Sequence, residues 1–275
     1  MKAKFDKEIV LLTPIFASLL FGFLCAFLIK TSQTETYTIT PFQEGVGSFG
    51  NAIYFIILVG VGAFLLYTLL QRKSIKIINL ITRFALTTAI FMLSIIYLSA
   101  TLELVAGGNM ELLVLPLSLL VTATCSYAIF KTHSQFSNVV VICLGGALGA
   151  FLGVSIPTLS AIMILVFLAV YDVFAVYQGP IGKIARSGLE QLRGLSFSFK
   201  EIQMGLGDLI FYSMLSGHML FNFGFYPCLV SIIGILLGCF TTFKMLHKKR
   251  IFPGLPFPIL FGLTASFIVS ILQGV

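Results

Sequence analysis

Nine apolar runs of about twenty residues recur along the chain, separated by short polar or basic breaks. Twenty residues at helical rise match the hydrocarbon thickness of a bilayer, so the pattern predicts nine transmembrane helices. They lie near residues 9–30, 48–70, 78–99, 110–130, 138–155, 157–178, 204–221, 226–244 and 255–273. The break between the fifth and sixth is tight, at Ser155-Ile156-Pro157. Pro157 suits the start of a helix, where its missing N–H costs nothing. The first run is too long for a signal-peptide core and lacks a small-residue cleavage site, so it reads as a retained helix. The stretch 179–203 breaks the pattern. Leu195-Ser196-Phe197-Ser198-Phe199-Lys200 alternates strictly, which predicts an extended strand. Ile181, Ile184, Leu189 and Leu192 are spaced for a short amphipathic helix lying on the membrane. Residues 1–275 read as a single membrane domain: six helices in 1–178, a cytoplasmic loop in 179–203, and three helices in 204–275.

Composition agrees with a polytopic, all-α membrane protein. The 275 residues are 58% hydrophobic and 10% charged, with mean hydropathy +1.06, which excludes a soluble domain. The net charge of +7 is not a nucleic-acid signature, because no basic stretch is interleaved with aromatics. Its origin is the breaks between spans. Lys2, Lys4 and Lys7 precede the first span; Arg72, Lys73 and Lys76 follow the second; Lys131 ends the fourth. Lys183, Arg186, Arg193 and Lys200 fill the loop after the sixth, and Lys244, Lys248, Lys249 and Arg250 follow the eighth. With nine spans all of these share one side, which puts the N-terminus in the cytoplasm and the C-terminus outside. Lys30 and Arg83 fall at span ends, where each can snorkel to the interface. The five cysteines are isolated and form no C-x-x-C pair, so they read as small buried residues rather than metal ligands or disulfides. Gly145, Gly149 and Gly153, four apart, predict a close helix–helix contact.

Against this background two carboxylates stand out. Asp172 follows Tyr171 in the sixth span, and Asp208 opens the seventh in Gly205-Leu206-Gly207-Asp208. A charge at membrane depth costs a few kcal/mol or more, which marks a functional site. The sixth span runs toward the cytoplasm and the seventh away from it. Asp172 lies about 9 Å from its end and Asp208 about 6 Å from its start at helical rise. The two are therefore predicted at similar depth near the cytoplasmic face. Two carboxyls in contact do not both ionise readily. The ionised member can activate water and the protonated member can donate to a carbonyl oxygen, which is peptide hydrolysis without metal or cofactor. Gly205 and Gly207 carry no side chain and allow a backbone to approach. Tyr171 offers a hydroxyl at the interface.

Tyr171-Asp172, Gly205-Leu206-Gly207-Asp208 and Pro253-Gly254-Leu255-Pro256, in this order, resemble the presenilin and signal peptide peptidase family of intramembrane aspartyl proteases. The resemblance implies nine helices, with Tyr-Asp in the sixth, Gly-x-Gly-Asp in the seventh and Pro-Ala-Leu opening the ninth. It implies Asp172 and Asp208 as the catalytic dyad, and Pro253, Gly254 and Leu255 as residues that shape the site and contact substrate. The derived orientation resembles the presenilin branch. Two features depart from the pattern. Gly254 stands where the family has Ala, and Asp208 follows Asp172 by only 36 positions. Presenilins cut themselves within a long loop at that place, so self-cleavage is not expected and a prokaryotic, archaeal or bacterial, single-chain relative is.

The strand around Leu195, Phe197 and Phe199 suggests pairing with an unwound stretch of substrate, presenting its amide to the dyad. Family resemblance supports this, since presenilins pair substrate beside the seventh helix. His218 reads as a satisfied polar residue, and His133 and His247 as solvated. No His-Glu-x-x-His and no Gly-x-Ser-Gly string is present, against zinc and serine membrane proteases. The reading is an endopeptidase with no cofactor and no metal, acting on the transmembrane helices of other proteins in the cell membrane of a prokaryote. The rival is a proton- or cation-coupled transporter using the carboxylates as a relay. A third reading is a scaffold in which they only tie helices together. No visible repeat favours the transporter, and no docking surface for an accessory subunit is evident.

Overall fold

All nine apolar runs are helical. The computed structural model describes residues 2–32, 38–106, 111–132, 134–177, 196–199, 202–246 and 252–274. Among them are α1 (Lys2–Ser32), α2 (Gly47–Gln71), α3 (Ile75–Ala106), α4 (Glu111–Lys131), α5 (Ser134–Ser155) and α6 (Thr158–Tyr177). Then come the strands β1 (Ser196–Phe199) and β2 (Ile202–Gly205), followed by α7 (Leu206–Asn222), α8 (Phe225–Leu246) and α9 (Pro256–Gln273). Eight of these helices are long and apolar enough to cross a membrane. The exception is α7, whose 17 residues span about 26 Å. It starts two residues later than its hydropathy suggests, because Met204 and Gly205 belong to β2. By contrast, α1 and α3 overrun their apolar cores, since no breaker interrupts Lys2–Val10 or Thr101–Ala106. Pro157 sits just before α6, as expected of a helix start.

The anticipated strand is present over Ser196–Phe199, but it is half of a hairpin. β1 pairs antiparallel with β2, with Phe197 opposite Met204 and Phe199 opposite Ile202. Leu195, the amphipathic stretch 181–192, His133 and His247 lie outside the described residues.

Glycine stripes set the packing around α7. A methyl group on Gly145, Gly149 or Gly153 of α5 would collide with Leu209, Ile210 or Met214 of α7. One on Gly22 or Gly146 would close the contact between α1 and α5. In lipid the tails are as apolar as leucine, so association rests on this close approach and on hydrogen bonds. Ser18 of α1 donates to the Ile142 carbonyl at 2.9 Å, and Tyr97 of α3 to that of Ala147 at 2.7 Å. His218 is satisfied as expected, 2.7 Å from the Gly153 carbonyl. Lys30 does more than reach the interface: its ammonium donates to the Leu220 and Phe221 carbonyls at 2.8 and 3.1 Å. It thereby caps the C-terminus of α7, where carbonyls lack partners and the helix dipole favours a cation.

On the other flank α2 leans on α6. Asn51 donates to Ser160 at 2.9 Å, and Ser160 to Ser48 at 3.1 Å. Glu44, in the loop before α2, accepts the Leu159 N–H at 2.8 Å and so caps the start of α6. Gly149→Leu should therefore destabilise the bundle by about 1–3 kcal/mol or more through overpacking. Gly62→Leu on α2, where nothing lies within 4 Å, should leave the thermal midpoint in detergent unchanged.

Candidate active site

Asp172 lies on the last turns of α6, five residues before Tyr177, and Asp208 on the first turn of α7, two residues after Leu206. At helical rise these are about 7 and 3 Å from the helix ends, somewhat nearer than the sequence implied. Both residues are half-buried, with their carboxyl ends turned into the protein. They converge on one backbone segment, Pro253-Gly254-Leu255, at the threshold of α9. The Leu255 N–H donates to Asp172 Oδ2 at 3.0 Å. Both Asp208 oxygens lie 3.2 Å from the position a Cβ of Gly254 would occupy. The two side chains are thus neighbours across Gly254, close enough to interact electrostatically.

Local structure explains how this segment is held. Leu255 is the N-cap of α9 and Pro256 its first residue, where proline costs no hydrogen bond. The free amide at a helix start seeks an acceptor, and Asp172 supplies it. Tyr212, one turn beyond Asp208 on α7, donates its hydroxyl to the Gly254 carbonyl at 2.9 Å. Phe252 and Phe257 stack with ring centroids 5.8 Å apart, bracing the bend on either side. Pro253 and Leu255 are buried. Pro-Gly-Leu is thus a strut gripped from α6 by Asp172 and from α7 by Tyr212.

The remaining expected residues divide. Leu206 is buried, while the space beside Gly205 and Gly207 is open: a methyl there would meet only Asp208, Phe211 or the Gly207 amide, none closer than 3.9 Å. Tyr171 packs on α2 rather than on the strut, with its hydroxyl 3.3 Å from where a Cβ of Gly60 would stand. Phe197 and Phe199 sit in β1, whose partner β2 runs into Gly205 and so toward Asp208. Tyr212 was not foreseen. Its signal is its place four residues after Asp208, on the same helix face. Gly60 was missed too, since nothing in α2 suggests a partner.

Known proteins share this chain's fold and sequence pattern. Residues 17–186 match the family model described as "Signal-peptide peptidase, presenilin aspartyl protease", and residues 183–273 match the presenilin model. The chain belongs to this family. Among curated presenilins it is 39% identical over 67 residues to presenilin sel-12 of Caenorhabditis elegans, covering 24% of this chain and 15% of the relative. It is 30% identical over 152 residues to presenilin-B of Dictyostelium discoideum, covering 49% of this chain and 31% of the relative. The matched stretches are thus less than a third of either relative. Two solved structures of a presenilin family intramembrane aspartate protease share the fold. The C222 crystal form superposes with TM-score 0.69 at 18% identity, covering 95% of this chain and 99% of that one. The P2 form gives TM-score 0.61 at 20% identity, covering 94% and 96%. In this presenilin-family chain, Tyr212→Phe should orphan the Gly254 carbonyl at a cost of about 1–3 kcal/mol. Thermal unfolding of the purified protein in detergent measures this.

Proposed function

We propose that this chain is an intramembrane endopeptidase that hydrolyses peptide bonds in the transmembrane segments of other proteins, with Asp172 and Asp208 as its dyad. The observation that carries the reading is the convergence of both carboxyls on Gly254. Asp172 already accepts an amide at a helix N-terminus, a place that stabilises negative charge, so it is the ionised member. Asp208 is the protonated one. A water between them gives its proton to Asp172 while its oxygen attacks the scissile carbonyl carbon. Asp208 donates its proton to the carbonyl oxygen as that bond opens. Collapse of the tetrahedral intermediate returns a proton from Asp172 to the leaving nitrogen, and Asp208 recovers its own. Water reaches the pair from the open space beside Gly205 and Gly207.

The open side at Gly205 and Gly207 is where an unwound substrate backbone fits. The inner edges of β1 and β2 pair with each other, so a substrate strand joins one of the two outer edges of the hairpin. The β2 edge is favoured, because Gly205 ends it three residues before Asp208. Only two residues separate Phe199 from Ile202, which makes these the hydrogen-bonded pair; pairing alternates, so the Gln203, Ser196 and Ser198 amides face outward. The basic breaks put this end of the bundle in the cytoplasm, with the N-terminus there and the C-terminus outside. Pro253, Gly254 and Leu255 would line the substrate's path, in a single membrane domain of a prokaryotic cell membrane. The transporter reading gains no specific support.

Purified protein incubated with a membrane-spanning reporter tests the assignment. Asp172→Ala and Asp208→Ala should each lower cleavage by at least about 10²–10⁴-fold with the fold intact. Undiminished cleavage in either, or ion flux without cleavage, would remove the proposal. Gln203→Pro deletes an outward amide of β2 without touching the hairpin ladder and should cut turnover roughly tenfold or more. Losses confined to a Ser196→Pro and Ser198→Pro double variant would shift substrate to the β1 edge, and no loss in either would end the strand-addition idea.

A further inference from the structure

Two hollows lie along α3, one between α3 and α4 at the end of the bundle that carries Arg72 and Lys73, the other deeper, among α1, α3, α4 and α5. The first, about 330 Å³, is lined by Arg83, Thr87, Ser126, Tyr127, Phe130 and Lys131. The Arg83 guanidinium lies 5.4 Å from the Phe130 ring centroid and the Lys131 ammonium 5.9 Å from that of Tyr127. Both cations therefore rest on aromatic faces of α4. The hydroxyls of Thr87 and Ser126 stand 3.3 Å apart between the helices. No Asp or Glu occurs from residue 45 to 102 or from 112 to 171, so neither helix brings a counter-charge to this end. Two cations whose own helices bring no carboxylate to this end, beside two hydroxyls, are complementary to a phosphate diester.

The second hollow begins about one turn further along α3, at Ile90, and beside Ser126 on α4, at Cys125. It measures about 400 Å³, and its lining, which includes Ile90, Tyr97, Val121 and the three cysteines Cys25, Cys125 and Cys143, is almost wholly apolar. Tyr97 spends its hydroxyl on the Ala147 carbonyl and leaves the wall apolar. From Arg83 to Tyr97 is fourteen residues, about 21 Å along α3, close to the depth of one leaflet with its headgroups. We propose that these two hollows form a binding site for an anionic phospholipid, with the headgroup phosphate on Arg83 and Lys131 and one acyl chain in the cavity beyond. The site is separate from the aspartates and does not depend on the proposed protease activity.

The test uses the full chain in nanodiscs holding phosphatidylglycerol or phosphatidylcholine with identical acyl chains. Lipid retained after transfer to detergent is counted by native mass spectrometry. Phosphatidylglycerol should be retained over phosphatidylcholine, and an Arg83→Gln, Lys131→Gln double variant should lower its retention roughly 10- to 30-fold. In the wild-type chain, phosphatidylglycerol should also slow N-ethylmaleimide alkylation of Cys125 and Cys143, mapped peptide by peptide, while millimolar inorganic phosphate should not. Equal retention of the two lipids, or unchanged retention in the double variant, would overturn the site. Equal protection by free phosphate would overturn the lipid as its source. If the double variant fails to fold, the wild-type lipid comparison and the thiol protection decide alone.

Discussion

The hydrogen bond from the Leu255 amide to Asp172 is the constraint on which the geometry of the candidate site depends. The helices that carry the two carboxyls are anchored separately. α7 is sealed to α5 by the glycine stripe and capped by Lys30, while α6 leans on α2 through Asn51, Ser160 and Tyr171. Pro253-Gly254-Leu255 spans the gap. Asp172 grips its amide, Tyr212 its carbonyl, and the Asp208 carboxyl rests against its glycine. The two carboxyls therefore meet at the start of α9, a helix that carries neither of them.

This accounts for the small residue at position 254. The resemblance places Ala there, and here a methyl would stand 3.2 Å from both Asp208 oxygens, a contact relieved only by a shift of a few tenths of an ångström. Anything larger than a methyl would push into the carboxyl itself. Glycine leaves the strut the freest approach, and Tyr212 and the Phe252–Phe257 stack supply the rigidity that glycine lacks.

What could be read in the sequence was whatever a local pattern records. Twenty-residue apolar runs gave the helices, because length against bilayer thickness is a one-dimensional rule. Two lone carboxylates in apolar runs marked a candidate site, and the fold brings both to Gly254 and Leu255; the spacing of Gly145, Gly149 and Gly153 announced a helix contact. Strict alternation revealed β1. Its partner escaped, because Ile202-Gln203-Met204-Gly205 has no alternation over a useful length and merges with the apolar run of α7. Also illegible were contacts between residues far apart in the chain: Tyr212 with Gly254, Lys30 with Leu220, Asn51 with Ser160. Each joins an ordinary-looking residue to a backbone atom or hydroxyl that only the fold brings near. The cysteines were only partly anticipated, since Cys125 and Cys143 are half-buried and share the wall of one cavity with Cys25.

The shortest helix is also the most enclosed. Eleven of the seventeen residues of α7 are buried, against three of twenty-five in α2. A lipid-facing helix sees a fluid that accommodates any apolar shape, whereas α7 sees a fixed protein mould on nearly every side. Exchange among Leu, Ile, Val and Phe is therefore nearly free on α2 and costly on α7. Over long divergence the two helices should age at different speeds, with α7 keeping the outlines of its side chains long after α2 has kept only its greasiness.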